Sequence, residues 1–173
     1  MSGPAEPLVI EDAFEFTRSA GLRSGQLAVA SLPRLQDQLC GNDGVLDYTL
    51  TGGRDRQNRP QLRLQIGGEL QLSCARCLGP VHHGLSLDST LLLVQPGTQP
   101  TDDDDPEAPD WIEAGRDLDV LQLLEDEILL GLPISVSHPE GACEGGERLA
   151  VASGRLPFKS LAGWRSGGDG NKD

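Results

Sequence analysis

The sequence predicts an α+β fold, in which one main helix packs on an antiparallel β-meander or a partly closed, barrel-like sheet. Two runs of alternating apolar residues, over 62–74 and 81–93, predict the sheet, which we expect to have roughly four to six strands. Apolar residues at helical spacing over 118–132 predict the helix.

The first 43 residues carry short apolar pieces that Gly and Pro interrupt. They predict a strand near 26–30 and a turn or short helix around 34–39. A further strand is predicted from three alternating apolar residues, Leu46, Tyr48 and Leu50. The polar stretch TGGRDRQNRP, residues 51–60, is predicted to be the loop that follows this strand.

The clearest strand pattern begins at Leu62. Its apolar residues fall on even positions and polar residues lie between them: Leu62, Leu64, Ile66, Leu70, Leu72 and Cys74. Gly67 and Gly68 interrupt the run and predict a bulge or a sharp bend. The next run uses odd positions: Val81, Leu85, Leu87, Leu91 and Leu93. The turn CARCLGP joins the two runs, so consecutive antiparallel strands are expected.

Residues 95–110, QPGTQPTDDDDPEAPD, have almost no apolar side chain and contain four consecutive Asp. This composition predicts a solvated, disordered acidic linker within the domain.

The helix is predicted from DLDVLQLLEDEILLGLP. Its apolar stripe consists of Val120, Leu121, Leu124, Ile128 and Leu132. Residues 125–127 are acidic and are predicted to lie mostly outside the stripe. Asp117 or Asp119 can cap the N-terminus, and Gly131 and Pro133 end the helix.

We predict one domain over residues 1–144 and a flexible tail over 145–173. The tail is rich in Gly and contains one apolar patch, LPFKSLAGW, at residues 156–164. Four residues of this patch are predicted to bind a partner: Pro157, Phe158, Leu161 and Trp164.

The composition predicts a cytoplasmic protein with a modest aliphatic core, because only 3% of the residues are aromatic. No apolar run approaches the roughly 18 to 20 residues that span a bilayer, and the N-terminus lacks the features of a secretory signal. In the cytoplasm thiols stay reduced, so the four cysteines are not expected to form disulfides.

The net charge of −13 argues against a protein whose main task is to grip phosphates, since nucleic-acid binding normally needs a basic patch. The one candidate patch consists of Arg54, Arg56, Arg59 and Arg63, and we interpret it as a solvated hairpin loop. The acidity favours a basic partner protein, steered in by charge.

Cys74 and Cys77 form a C-x-x-C motif, and HPEGAC contributes His138 and Cys143. Together these four residues would make a closed Cys₃His zinc site, which is structural rather than catalytic. Reduced structural thiols and redox exchange remain alternative interpretations. A β-like run follows the motif, whereas thioredoxin-type pairs stand at a helix N-terminus, which argues against an oxidoreductase.

The remaining candidate residues receive simpler interpretations. His82 and His83 are predicted to be a solvated turn pair, and Cys40 a small half-buried side chain. The sequence contains no nucleotide-binding or hydrolase motif and no zinc-deaminase signature. No catalytic residue, organic cofactor or small-molecule substrate is therefore predicted.

The order of three segments resembles the YceD family, the large ribosomal RNA subunit accumulation proteins. LSCARCL comes first, DLDVLQLLEDEILLGLPISVSH follows the acidic linker with a cysteine soon after, and LPFKSLAGW lies near the C-terminus. The last segment is similar to the family's Asn-Pro-Phe-x-x-Leu motif, with Leu156 in place of Asn. The resemblance spans about residues 60–162.

The resemblance implies a non-enzymatic role in the synthesis, processing or stability of 23S rRNA. It also maps the family's paired cysteines onto Cys74 and Cys77, and its later His and Cys onto His138 and Cys143. Given the charge, the expected partner is a ribosome assembly component or a basic ribosomal protein, and direct, tight binding of 23S rRNA is disfavoured relative to indirect contact. A thiol- or zinc-dependent enzyme and a protein-binding adaptor are the alternative functions.

Overall fold

The computed structural model describes residues 8–98 and 110–143. The elements in chain order are β1 (Val9–Asp12), α1 (Ala13–Arg18), β2 (Leu22–Ala28), two 3₁₀ segments (Val29–Ser31 and Pro33–Gln38), β3 (Val45–Arg54), β4 (Pro60–Ser73), β5 (Pro80–Val94), β6 (Trp111–Glu113), β7 (Arg116–Asp119) and α2 (Val120–Gly131). This content confirms the α+β fold class. The chain divides into two compact units, the first ending at Ser137 and the second beginning at His138. The predicted tail over 145–173 and most of the predicted acidic linker lie outside the described residues.

The main sheet has five strands in the order β2-β3-β4-β5-β6. Its first four strands are antiparallel neighbours, which confirms the predicted meander, whereas β6 pairs with β5 in parallel. β1 and β7 form a separate antiparallel pair. In the part of the chain that the structure describes, β2 and β6 are the two ends of an open sheet. The barrel-like alternative is therefore wrong.

Strand β4 buries its even-numbered apolar residues on both sides of the glycine pair, as the sequence predicts. The bulge predicted at its glycines is wrong, because Gly67 pairs with Ser86 and Gly68 pairs with Leu85 in an unbroken register. Gly68 instead has a φ of +151°, and a Cβ there would lie 2.7 Å from Leu46 Cδ2. The glycine makes room for a core leucine of β3.

Helix α2 packs its apolar stripe against the sheet core. Its fully buried residues are Val120, Leu124 and Ile128. The helix begins at Val120 rather than 118, because Arg116–Asp119 pairs with β1 as a strand. Asp119, one of the two predicted caps, accepts a hydrogen bond from the Gln122 backbone N–H at 3.0 Å.

The predicted position of Glu125 outside the buried stripe is wrong. Only 4% of its surface is exposed, because the 3₁₀ segment Pro33–Gln38 packs against this side of α2. The backbone N–H of Arg34 donates to Glu125 Oε1 at 2.6 Å, and the Arg34 guanidinium forms an ion pair with Asp126. A backbone donor and a neighbouring ion pair thus allow a carboxylate inside the core.

Several boundaries also differ from the prediction. β2 lies over 22–28 rather than 26–30, and β3 continues through Arg54, so the hairpin loop is shorter than expected. The short helix expected around 34–39 is confirmed as a 3₁₀ segment. Among the described residues, no helix combines the length and apolar character that would let it cross a membrane.

Candidate metal centre

The C-x-x-C motif occupies the tight turn between β4 and β5. The Cys74 backbone N–H donates to the Gly79 carbonyl, and the Leu78 N–H donates to the Cys74 carbonyl, both at 2.9 Å. The residue with positive φ in this turn is Leu78, at +60°, and not the glycine that follows it. The Arg76 backbone N–H points at Cys74 Sγ at 3.4 Å. A backbone N–H directed at the sulfur is an interaction that a metal-bound sulfur can accept.

Cys74 is fully buried, whereas Cys77 is half-buried. A bridge between Cys74 and Val136 brings the segment after α2 alongside this turn. The Ala75 backbone N–H donates to the Val136 carbonyl at 2.8 Å. Within the first compact unit, the segment that leads to His138 therefore lies next to the two cysteines.

The second unit begins with a tight turn of its own. The Ala142 backbone N–H donates to the Pro139 carbonyl at 3.1 Å, and Gly141 has a φ of +80°. A positive φ at the third position of such a turn is characteristic of a type II turn and favours glycine. The turn returns Cys143 to His138, and the Sγ–Nδ1 distance is 3.7 Å. Both residues are half-buried.

The four residues predicted from the sequence lie close together. The ligand atoms of Cys74, Cys77, His138 and Cys143 are all within 4.8 Å of one another and could bind a metal ion. A tetrahedral zinc ion with one imidazole and three thiolate ligands requires nitrogen–sulfur separations of about 3.6 Å and sulfur–sulfur separations of about 3.8 Å. The observed 3.7 Å between Cys143 Sγ and His138 Nδ1 is close to the first value. The donor set and this separation are therefore compatible with a bound metal ion.

The other candidate thiol and histidines do not belong to this group. Cys40 is exposed rather than half-buried, because its side chain sits at the surface beside the turn, where Sγ donates to the Leu78 carbonyl at 3.1 Å. His82 and His83 lie in β5, opposite Gln71 and Leu70, and not in a turn as predicted. The β4–β5 turn ends before them. The tail residues Pro157, Phe158, Leu161 and Trp164 lie outside the described residues.

Three of the four arginines near the β3–β4 hairpin are engaged by neighbouring groups: Arg54, Arg59 and Arg63. Arg59 forms an ion pair with Asp55, and Arg54 donates to the Asn58 carbonyl. Arg63 holds Asp88 with two hydrogen bonds, Nε–Oδ1 at 2.8 Å and Nη2–Oδ2 at 2.6 Å. These bonds lower the pKa of the Asp88 carboxyl below its ordinary value. The pairing agrees with a polar hairpin rather than a basic patch for phosphate.

The sequence model of the family described as large ribosomal RNA subunit accumulation protein YceD matches residues 62–156. The match covers more than half of the chain, and the chain belongs to this family. The family's description connects the protein with the accumulation of large-subunit ribosomal RNA. No curated protein and no solved structure matches the chain significantly.

Sequence reasoning found the four candidate ligands but missed the backbone groups that position them. Val136 carries no chemical signal, and its bridge to Cys74 joins segments about sixty residues apart. The glycine of HPEGAC was a detectable signal for the local turn, since a type II turn favours glycine at the third position.

Proposed function

We propose that this protein is a non-enzymatic accessory factor in large-subunit ribosome biogenesis, needed for the synthesis, processing or stability of 23S rRNA. The observation that carries the proposal is the family match over residues 62–156, which includes the C-x-x-C turn, helix α2 and HPEGAC. As a factor that acts where ribosomes are assembled, it would work in the cytoplasm.

Deletion of the gene tests this function. We expect less 23S rRNA and fewer large subunits in sucrose-gradient profiles, with 16S rRNA as the internal reference. Complementation with the intact gene should restore both. Unchanged 23S levels and unchanged subunit profiles in the deletion strain would refute the proposal.

Within this function, we assign Cys74, Cys77, His138 and Cys143 to a structural zinc ion. Four protein ligands complete the usual coordination of zinc and leave no position for substrate or an activated water. The zinc ion would cross-link two chain segments, the C-x-x-C turn and HPEGAC. The chain itself supplies the Arg76 N–H beside Cys74 Sγ, and the turn at Gly141 between His138 and Cys143. This arrangement favours a binding protein over a thiol or metal enzyme.

Metal analysis of the protein, purified without added metal or chelator, tests the site. We expect one zinc ion per chain, one thiol that reacts before strong chelation and three more that react after it. Cys40→Ser should keep the metal and remove the early-reacting thiol, because Cys40 is exposed and stands outside the ligand group. Cys77→Ser should lose most of the metal. A metal-free protein with four freely reacting thiols would contradict the assignment.

The partner we propose is a ribosome assembly component or a basic ribosomal protein. The net charge of −13 supports a cationic protein partner and disfavours direct contact with rRNA phosphates. We further propose that the tail patch 156–164 docks to a partner through Pro157, Phe158, Leu161 and Trp164. A Phe158→Ala/Trp164→Ala variant should keep the stability of the intact chain but fail to restore 23S levels. Full complementation by this variant would remove the tail from the proposal.

A further inference from the structure

Strand β5 is much longer than the strand on its outer side. β4 pairs with it from Pro80 to Leu92, whereas β6 covers only Leu92–Val94. Within residues 8–98 and 110–143, no strand pairs with the outer side of β5 over 82–90. We call these nine residues the β5 edge.

The hydrogen bonds to β6 show which backbone groups of β5 point outward. The Leu92 N–H donates to the Asp110 carbonyl at 2.8 Å, and the Ala114 N–H donates to the Val94 carbonyl at 2.9 Å. Both groups of one strand residue point to the same side, and the side alternates along the strand. The even-numbered residues therefore present their N–H and C=O groups at the edge: His82, Gly84, Ser86, Asp88 and Thr90. All five are exposed.

Helix α2 lies beside this edge on the core side of the sheet. Gly131 packs so closely on β5 that a Cβ there would be 2.3 Å from Leu87 Cδ2. The neighbouring Leu130 is 80% exposed. The exposed Leu130 therefore belongs to the part of α2 that meets β5.

We propose that the β5 edge binds an extended, Lys- and Arg-rich segment of another protein, which adds to the sheet as a further strand. In this mode backbone hydrogen bonds provide affinity, and alternate side chains provide specificity. Side chains on one face of the added strand would lie beside Leu87, which is half-buried on the helix side of β5. The choice of a protein partner rests on the proposed function, whereas the binding mode rests on the edge itself.

Charge favours a basic peptide over other occupants. The chain carries a net charge of −13, Glu127 is one helical turn before Gly131, and Asp110 stands just before β6. Asp88 lies on the edge itself, where Arg63 already pairs with it. Two copies of this chain, each with a net charge of −13, would repel one another. Nucleic acid carries the same sign of charge and lacks the regular donors and acceptors of a β-strand.

Amide hydrogen exchange of the full chain tests the proposal, with a nine-residue peptide of alternating Lys and Val as the probe. We expect the amides of residues 84, 86, 88 and 90 to exchange at least about tenfold more slowly when the peptide is bound. The odd-numbered amides, already bonded to β4, should change little. A peptide with Glu in place of Lys, and one with N-methyl groups on alternate residues, are the controls and should not protect.

Ser86→Pro and Ser86→Ala form a matched pair of variants. Proline removes only an outward-pointing N–H and is tolerated at sheet edges, whereas alanine keeps that N–H. Ser86→Pro should bind the Lys–Val peptide about tenfold more weakly than Ser86→Ala. If Ser86→Pro does not fold, the N-methylated peptide makes the same comparison on the natural chain.

Several results would overturn the proposal. The Glu peptide or the N-methylated peptide could protect the amides equally well, or the even-numbered amides could already be protected in the free chain. Protection could also rise with protein concentration alone, or a single-stranded oligonucleotide could protect the amides instead of the peptide. Full rescue of the deletion strain by Ser86→Pro would show that the ribosomal role does not need the β5 edge, and would leave that role itself intact. A deletion strain without a 23S defect would remove the ribosomal role and leave peptide binding to be judged on its own.

Discussion

The backbone N–H of Arg34 donates a 2.6 Å hydrogen bond to the carboxylate of Glu125, across 91 residues of sequence. This bond joins the 3₁₀ segment Pro33–Gln38 to helix α2, and the Asp126–Arg34 ion pair lies next to it. The interaction places a carboxyl group in a core that consists mostly of aliphatic side chains. Its removal should therefore affect the stability of the whole first unit.

Glu125→Ala should lower the free energy of unfolding by about 2 kcal/mol, because it leaves the Arg34 N–H without its acceptor and a gap in the core. Glu127→Ala is the control, since it removes a half-exposed carboxylate from the same helix and should change stability by less than about 0.5 kcal/mol. Urea unfolding followed by circular dichroism measures both. Equal effects would show that the Arg34 bond contributes nothing specific.

Leu78→Gly should stabilise the protein by about 1 kcal/mol, because glycine adopts the +60° φ of this position without the steric cost of a Cβ. Leu130→Gly makes the same change at another exposed leucine, but within a helix, and should destabilise the protein by about 1 kcal/mol. Thermal unfolding of the two variants should show shifts of opposite sign. Two shifts of the same sign would contradict the role given to the turn.

Gly68→Ala should destabilise the protein by about 2 kcal/mol for two reasons. The added methyl group would meet Leu46 Cδ2 at 2.7 Å, and the φ of residue 68 is +151°, which alanine rarely adopts. Gly84→Ala is the matched control on the adjacent strand, where no atom lies within 4 Å of the new Cβ. It should be neutral or slightly stabilising. A neutral Gly68→Ala in chemical unfolding would refute the close packing of β3 on β4.

Asp88→Asn should reduce stability in a pH-dependent way. Hydrogen bonds from Arg63 hold the pKa of the folded Asp88 carboxyl below its ordinary value. The ion pair therefore contributes stability above the ordinary pKa of an aspartate, and this contribution is lost as pH falls through the lowered pKa. The urea midpoints of the natural chain and the variant should differ near pH 7 and converge in acid. A pH-independent difference would mean that the charge of Asp88 is not its cause.

The sequence predicts the meander because the buried residues of β4 share one parity, and those of β5 share the other except at Leu92, near its end. Strands β1, β6 and β7 were not predicted, since each has only three or four residues and no periodic pattern. Their existence depends on partners distant in sequence, as in the pairing of Val9 with Asp119. Glu125 was misplaced for the same reason, because only the packing of a remote segment buries it.

The candidate metal ligands could be chosen from the sequence by chemistry alone. Cysteine and histidine at short spacing are recognisable within each pair, and the Gly141 turn explains the spacing of the second pair. The approach of the two pairs is a property of the tertiary fold. It depends on the backbone hydrogen bond from the Ala75 N–H to the Val136 carbonyl, and no local sequence pattern encodes this bond.

The pairing of β6 with β5 also bears on how the chain can vary between related proteins. Leu92 and Trp111 are fixed opposite one another, and the Gly97 N–H donates to Glu113 Oε1 at 3.2 Å, so residues on both sides of the acidic stretch are tethered side by side. Once two points of a chain are tethered, doubling the intervening length costs only about 0.6 kcal/mol. Insertions and deletions between Thr98 and Asp110 should therefore be tolerated, and the length of this stretch can diverge freely among homologues while the sheet register is preserved.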